Sequence, residues 1–124
     1  MSTEIVFQLP SLATTLHVQE ALTAAYVENR IVVLYFTGRF CGPCRGIKPA
    51  VEALAHQFAA QLQFYTIDIG ATDIVTHFDV KLIPTFVFLN QGNKIVHVQT
   101  GADAKALASS CFEAVKLVLH NSQS

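Results

Sequence analysis

Residues 31–46 read IVVLYFTGRFCGPCRG, an apolar run that leads into a close pair of cysteines. Every residue from Ile31 to Phe36 is aliphatic or aromatic, which is typical of a strand covered on both faces, as in a parallel sheet. The Gly42-Pro43 pair can open a helix, because proline is tolerated in the first turn, where its missing donor has no partner. We therefore expect Cys41 and Cys44 at a strand-to-helix turn, where α/β sheets gather their chemistry.

Outward from this turn, strand and helix patterns alternate along the chain. Strands are predicted at residues 5–9, 31–36, 63–69, 84–90 and 94–99. Helices are predicted at residues 12–27, from the cysteines to about residue 58, within 70–80 with Thr72 or Asp73 as cap, and at 103–120. This order predicts a parallel sheet between helices, with the last two strands as an antiparallel hairpin at the edge. We expect one domain over residues 1–124, with a frayed tail at 121–124.

Composition narrows the class of protein. Apolar residues make up 52% of the 124 residues and charged residues 14%, which is enough apolar material for a core and argues against disorder. A net charge of -1 without a basic run gives no footprint for nucleic acid or an anionic membrane. The N-terminus lacks the features of a signal peptide, and no apolar run approaches the roughly 18 residues of a membrane span. We expect a cytoplasmic protein.

A close cysteine pair can be a metal ligand set, a structural staple or a redox pair. One CxxC supplies only two of the four ligands of a structural zinc, and Cys111 is distant, so we expect no metal. A loop of two intervening residues removes little chain entropy, so a staple would stabilise weakly. At a helix start, unpaired N–H groups favour a thiolate and should lower the pKa of Cys41. Cys44, one turn further and more buried, can attack a mixed disulfide intramolecularly.

Four motifs, the first of which contains this pair, follow one another in order along the chain. They are F-x-x-x-F-C-G-P-C, then Lys48-Pro49, then Ile83-Pro84-Thr85, then Thr100-Gly101-Ala102. With this set the chain resembles the thioredoxin family from residue 5 to about residue 120. The resemblance implies a thioredoxin fold in the α/β class: a central mixed β-sheet, with a parallel core and a C-terminal antiparallel hairpin, flanked by helices on both faces.

The resemblance also implies roles for individual residues. Cys41 would attack the disulfide of a client protein, Cys44 would resolve the mixed disulfide, and Ile83–Pro84 would be a cis peptide bond facing the cysteines. A flat apolar docking patch around Cys41 would comprise Phe40, Gly42, Pro43, Ile83, Gly101 and Ala102. The implied activity is that of a protein-disulfide reductase without a bound cofactor.

The resemblance further implies the partners. Electrons would come from a reductase similar to thioredoxin reductase or from a low-molecular-weight thiol, and the protein would be a monomer. One alternative is a binding or scaffold module with weak redox turnover. Another is a disulfide isomerase or oxidase, which the Gly-Pro spacer and the absence of an export signal disfavour.

Two substitutions depart from the family pattern. Phe40 stands where the family usually has Trp, and the chain has no tryptophan. Tyr35 stands where the family commonly has a buried Asp that takes the proton of the second cysteine. A phenol with a pKa near 10 cannot be that base at neutral pH. We expect slower thiol exchange than in a typical member, with Tyr35→Asp restoring the rate. Thr66 is a neutral residue near a position where the family often has lysine.

Several other residues allow a structural interpretation. Cys111 shares a helical stripe with Leu107, Val115 and Val118, so we expect it in the core, with a regulatory or dimer-forming thiol as the alternative. The histidines at positions 56, 77 and 97 are expected at the surface. Asp68 is either a charge at a strand end or a partner for Lys81.

Overall fold

A computed structural model describes residues 9–90 and 94–122. The strand predicted at 5–9 lies almost wholly outside the described residues. The elements are, in chain order, α1 (Thr15–Val27), β1 (Ile31–Thr37), α2 (Gly42–Gln57), β2 (Leu62–Asp68), α3 (Thr72–His77), β3 (Thr85–Asn90), β4 (Lys94–Thr100) and α4 (Ala104–Ser122).

The four described strands form one mixed sheet in the order β2-β1-β3-β4. β1 pairs with β2 in parallel and with β3 antiparallel, and β3 pairs with β4 antiparallel. Both strands of the hairpin were expected at the edge of the sheet, but β3 lies in the interior and only β4, of these two strands, is an edge strand. β3 is buried from Thr85 to Leu89, and this burial on both faces suits an inner strand.

The chain ahead of α1 also lies against the sheet. Ser11 forms a parallel bridge with Thr66 of β2. Thr66 donates its N–H to the Pro10 carbonyl, and Leu12 donates its N–H to the Thr66 carbonyl. This segment therefore covers the outer edge of β2.

Side chains of β1 alternate between two cores, because successive residues of a strand point to opposite faces. Ile31, Val33 and Tyr35 pack with residues of α2 and α4, whereas Val32 and Leu34 pack with residues of α1 and α3. Helices thus cover both faces of the sheet, which confirms the predicted fold class.

The predicted N-cap of α3 was wrong. The N-cap of α3 is Ala71, without a side-chain bond, and not Thr72 or Asp73. The turn before α3 is instead held by Asp68, whose carboxylate accepts the Gly70 N–H at 2.7 Å. The last helix runs to Ser122, two residues beyond the predicted end at residue 120.

Candidate active site

Cys41 and Cys44 lie at the turn from β1 into α2, as predicted. Cys41 is the N-cap of α2, and its sulfur is joined to that of Cys44 in a disulfide with the two Cα atoms 5.2 Å apart. Cys41 is 8% exposed and Cys44 is 2% exposed, so the second cysteine is the more buried one. The outer sulfur is therefore the one that an approaching group meets first.

The start of α2 directs a backbone donor at Cys41. The Cys44 N–H points to Cys41 Sγ at 3.1 Å, so the sulfur occupies the position that a capping oxygen takes in other helices. When the disulfide is reduced, this donor and the helix dipole favour the thiolate over the thiol. The geometry thus suits a nucleophilic and readily displaced sulfur at residue 41.

The loop ahead of β3 faces the disulfide. The Ile83–Pro84 peptide bond is cis, and Cys41 Sγ lies 3.9 Å from the Ile83 carbonyl oxygen. The Pro84 carbonyl accepts the Gly101 N–H at 2.8 Å. Gly101 has φ +94°, a conformation in which a side chain is strained, so this position requires glycine. Two distant segments therefore meet beside the cysteines.

A groove surrounds Cys41 on the surface. Phe40 is 92% exposed at its rim, although a large aromatic ring is normally buried. The groove encloses about 590 Å³ and is lined by Gly38, Arg39, Phe40, Cys41, Gly42, Pro43, Asp68, Ile69, Gly70 and Ile83. We call it the docking groove.

The docking groove contains four of the six residues of the predicted patch. Gly101 reaches the site through its bond to Pro84, and exposed Ala102 follows it outside the groove lining. Ile69 was missed by the sequence analysis, although it is apolar, half exposed and directly after β2. The sequence could have indicated Ile69, because it follows the end of a strand at the same edge of the sheet as the cysteines.

Tyr35 of β1 contacts Cys44. Its hydroxyl donates to the Cys44 carbonyl at 3.1 Å, and its ring stacks on Phe86 at a centroid distance of 5.0 Å. Burial raises the pKa of the phenol, a hydrogen bond with Thr37 lowers it, and the charge of Glu52 raises it further. The phenol therefore keeps its proton at neutral pH and does not act as a base.

A second cavity opens on the other side of Cys44. It encloses about 370 Å³ and is lined by Leu9, Ser11, Tyr35, Thr37, Gly38, Arg39, Cys44, Arg45, Lys48, Val51, Glu52 and Thr66. We call it the Cys44 cavity. Thr66, the neutral residue noted in the sequence, lies directly opposite Tyr35 in the register of β1 and β2.

Apart from Asp68, which lines the docking groove, the remaining residues noted in the sequence line neither that groove nor the Cys44 cavity. Cys111 is fully buried, and burial raises the pKa of its thiol to about 12. His97 is exposed, as expected, and its Nε2 lies 2.9 Å from the hydroxyl of Ser110. Lys81 pairs with Asp79 at 3.8 Å and not with Asp68. These residues have structural surroundings and no contact with the cysteine pair.

Within residues 9–90 and 94–122, no three side chains among His, Cys, Asp and Glu converge as metal ligands would. None of the helices in this part of the chain combines the length and apolar character that crossing a membrane requires.

Known proteins share both this sequence pattern and this fold. Residues 13–113 match the thioredoxin family model. Human thioredoxin is 34% identical over 98 residues, which are 78% of this chain and 90% of the human protein. The TPR repeat-containing thioredoxin TDX of Arabidopsis thaliana is also 34% identical over 98 residues, but the chain spans only 25% of that relative.

A solved structure agrees with these sequence matches. The thioredoxin of Fasciola hepatica superposes with a TM-score of 0.79 and is 30% identical, and the match covers 86% of this chain and 99% of that one. Fold, sequence and the paired cysteines together support a thiol–disulfide oxidoreductase function for this domain, and the chain belongs to the thioredoxin family.

Proposed function

We propose that this protein reduces disulfides in client proteins by thiol–disulfide exchange. The observation that carries the proposal is the Cys41–Cys44 disulfide at the start of α2, with its outer sulfur in an exposed groove. An exchangeable pair at a helix start is suited to catalysis, because the helix favours the thiolate that attacks and later leaves.

The reaction proceeds in two exchange steps. In the reduced protein, the Cys41 thiolate attacks one sulfur of the client disulfide, forms a mixed disulfide and expels the first client thiolate. Cys44 then loses its proton, attacks Cys41 Sγ and forms the Cys41–Cys44 disulfide, while the second client thiolate leaves. The client gains two electrons from the protein, and its two thiolates take up two protons, one released by Cys44 and one from solvent.

The docking groove accounts for how a client approaches Cys41. Phe40, Pro43 and Ile83 offer apolar surface around the sulfur, and the loop at Pro84 lies beside it. An extended segment with an apolar residue next to its cysteine would bury that residue against Phe40. Apolar contact of this kind contributes about 25 cal/mol per Å² buried.

The cycle requires an electron donor that restores the two thiols. A reductase similar to thioredoxin reductase that uses a nicotinamide, or a low-molecular-weight thiol, would serve, because either delivers a thiolate to the disulfide. We propose a monomer in the cytoplasm that takes part in electron transport and redox homeostasis. A reducing compartment suits a chain whose third cysteine is buried and unpaired.

Insulin-disulfide reduction by dithiothreitol tests the activity. Wild type should accelerate it, Cys41→Ser should abolish the acceleration, and Cys111→Ser is the matched control that should keep it. Cys44→Ser should accumulate a covalent adduct with insulin chains through Cys41. Full acceleration by Cys41→Ser, or adducts of Cys44→Ser through Cys111, would refute the proposal.

A further inference from the structure

The second exchange step, which rests on the function proposed above, needs a proton acceptor for Cys44. The thiolate is the nucleophile, so the Cys44 thiol must lose its proton before it attacks. Cys44 is 2% exposed, and its neighbour Tyr35 directs its hydroxyl proton to the Cys44 carbonyl. Because burial also raises the pKa of this phenol, Tyr35 is not the acceptor.

The Cys44 cavity is the space that Cys44 shares with ionisable side chains. Tyr35 contributes from β1, the turn before α2 contributes Arg39, and β2 and the segment before α1 contribute only uncharged residues. From α2 come Cys44 itself, Arg45, Lys48 and Glu52. Arginine and lysine carry their protons at neutral pH. Glu52 is therefore the single acidic side chain among the described residues that line the cavity.

The Glu52 side chain lines this cavity and pairs with a lysine of the same helix. Its side chain is 30% exposed, and Oε1 lies 4.0 Å from Nζ of Lys48, which is one helical turn from both Glu52 and Cys44. The charge of Glu52 contributes to the raised pKa of Tyr35, so its field reaches the hydroxyl that contacts Cys44. Lys48 keeps this carboxylate near the cavity.

The separation along α2 requires water as an intermediary. Cys44 and Glu52 are eight residues apart, which corresponds to about 12 Å of helix rise and rules out a direct bond. A cavity of 370 Å³ has room for about ten water molecules. Hydroxyl groups of Tyr35, Thr37 and Thr66 line it and can hydrogen-bond such water.

We propose that the Glu52 carboxylate accepts the Cys44 proton through water in the Cys44 cavity during resolution of the mixed disulfide. The S–H bond of Cys44 breaks, the proton passes along water, and a proton arrives at a Glu52 oxygen. The Cys44 thiolate then forms its bond to Cys41 Sγ and the client thiolate leaves. Glu52 returns its proton to solvent or to that thiolate, so the carboxylate is regenerated.

If Glu52 acts as a proton acceptor, its loss changes the rate of resolution in the opposite direction to the loss of a mere negative charge. A negative charge near a thiol disfavours the thiolate, so loss of the Glu52 charge alone would ease ionisation of Cys44 and accelerate resolution. Loss of a proton acceptor slows the same step. General base catalysis by a directly placed group contributes about 10²–10⁴-fold, and transfer through water places our expectation below that range, at about tenfold.

Stopped-flow reaction with 5,5′-dithiobis(2-nitrobenzoate) separates the two steps. Reduced protein releases one coloured thiolate when Cys41 attacks and a second when Cys44 resolves the mixed disulfide. At saturating reagent the second phase is independent of concentration. In Glu52→Gln we expect this phase to slow by about tenfold at pH 7, with its rate recovering at higher pH, where hydroxide takes the proton.

Glu113→Gln is the matched control, because Glu113 is also a helical glutamate that pairs with a lysine, at 3.1 Å from Lys116. It should leave both phases unchanged, and Glu52→Asp should keep most of the second-phase rate. An unchanged or faster second phase in Glu52→Gln, or an equal loss in Glu113→Gln, would overturn the role of Glu52. Absence of a second phase in wild type would instead refute the proposed function.

Discussion

Tyr35 links the core to the active site through a single side chain. Its ring stacks on Phe86 in the core under α2 and α4, and its hydroxyl reaches the Cys44 carbonyl. A phenol is too weak a base for the proton of Cys44, but it is large enough to fill the space between sheet and helix. We infer that this residue supports the position of Cys44 and leaves proton transfer to another group.

Two substitutions at Tyr35 separate its ring from its hydroxyl. Tyr35→Phe keeps the stack and loses one hydrogen bond, so we expect a loss of about 1 kcal/mol in the free energy of unfolding. Tyr35→Asp also loses the ring, and we expect a loss of about 3–5 kcal/mol, together with the faster thiol exchange that the sequence predicts. Urea unfolding and insulin reduction measure the two effects. Slower insulin reduction by Tyr35→Asp at a temperature where it is folded would contradict the prediction.

Cys111 is a buried thiol whose protonation is linked to stability. Its pKa is about 12 in the folded protein, against a reference value of 9.0 for an unperturbed thiol. The folded state therefore holds the proton more tightly than the unfolded state. The resulting contribution to stability is complete below pH 9 and decreases as the pH rises towards 12.

This linkage predicts a difference between wild type and Cys111→Ala in alkaline solution. With the Cys41–Cys44 disulfide intact, wild type should lose about 1.4 kcal/mol per pH unit through Cys111 above pH 9, a loss that Cys111→Ala lacks. Urea unfolding at pH 7, 9 and 10.5 measures the difference. A difference between the two proteins that stays constant over this range would show that Cys111 is not buried as described.

At the scale of elements, the start of α2 determines the chemistry of Cys41. The helix begins directly after a buried strand, and its first turn aims the Cys44 N–H at the sulfur. Sequence reasoning found this arrangement because a short motif specifies it. The Gly-Pro pair sets the first turn, and the spacing of two residues brings the sulfurs together.

The helix start predicts the pH dependence of alkylation at residue 41. In Cys44→Ser, Cys41 is the one accessible thiol, since Cys111 is fully buried. Its rate of reaction with iodoacetamide should rise with a midpoint below about 8.5, the value of a free thiol, because the helix favours the thiolate. Mass spectrometry of the alkylated peptide measures this rate. A midpoint at or above that of free cysteine would show that the helix does not stabilise the anion.

The position of β3 in the sheet could not be predicted from the patterns of single elements. The turn between β3 and β4 was recognised as a hairpin, and the hairpin is present. Placing β3 in the interior, between β1 and β4, depends on pairing with β1 some fifty residues earlier. A hairpin signal specifies the partner across the turn but carries no information about the other edge of the strand.

At the scale of the whole molecule, one sheet separates two cores. Phe86 and Phe88 of β3 face α2 and α4, whereas Val87 and Leu89 face α1 and α3. Both cores use the same strands, so loss of packing on one face weakens the sheet that supports the other. We expect the domain to unfold as one cooperative unit.

Truncation of Phe88 tests this coupling. Phe88 is fully buried, so Phe88→Ala should lower the free energy of unfolding by about 3–5 kcal/mol while a single transition remains. Val98→Ala, on the neighbouring strand but half exposed, is the control and should change it by less than about 1 kcal/mol. Circular dichroism and tyrosine fluorescence during urea unfolding should give the same midpoint. Two separate transitions would contradict the single unit.

Properties encoded by neighbouring residues were predictable from the chain alone. Burial of β1, the cysteine pair at the start of α2, helices on both faces and the protonated state of Tyr35 all follow from periodicity, turn residues and side-chain chemistry. Other features could not be predicted from the chain alone, because they depend on packing between distant segments. They are the bond from Gly101 to Pro84, the place of Ile69 in the docking groove, the inner position of β3 and the cavity that joins Cys44 to Glu52. Periodicity and turn chemistry act over a few residues, whereas cavity shape and strand order arise when remote segments compete for the same contacts.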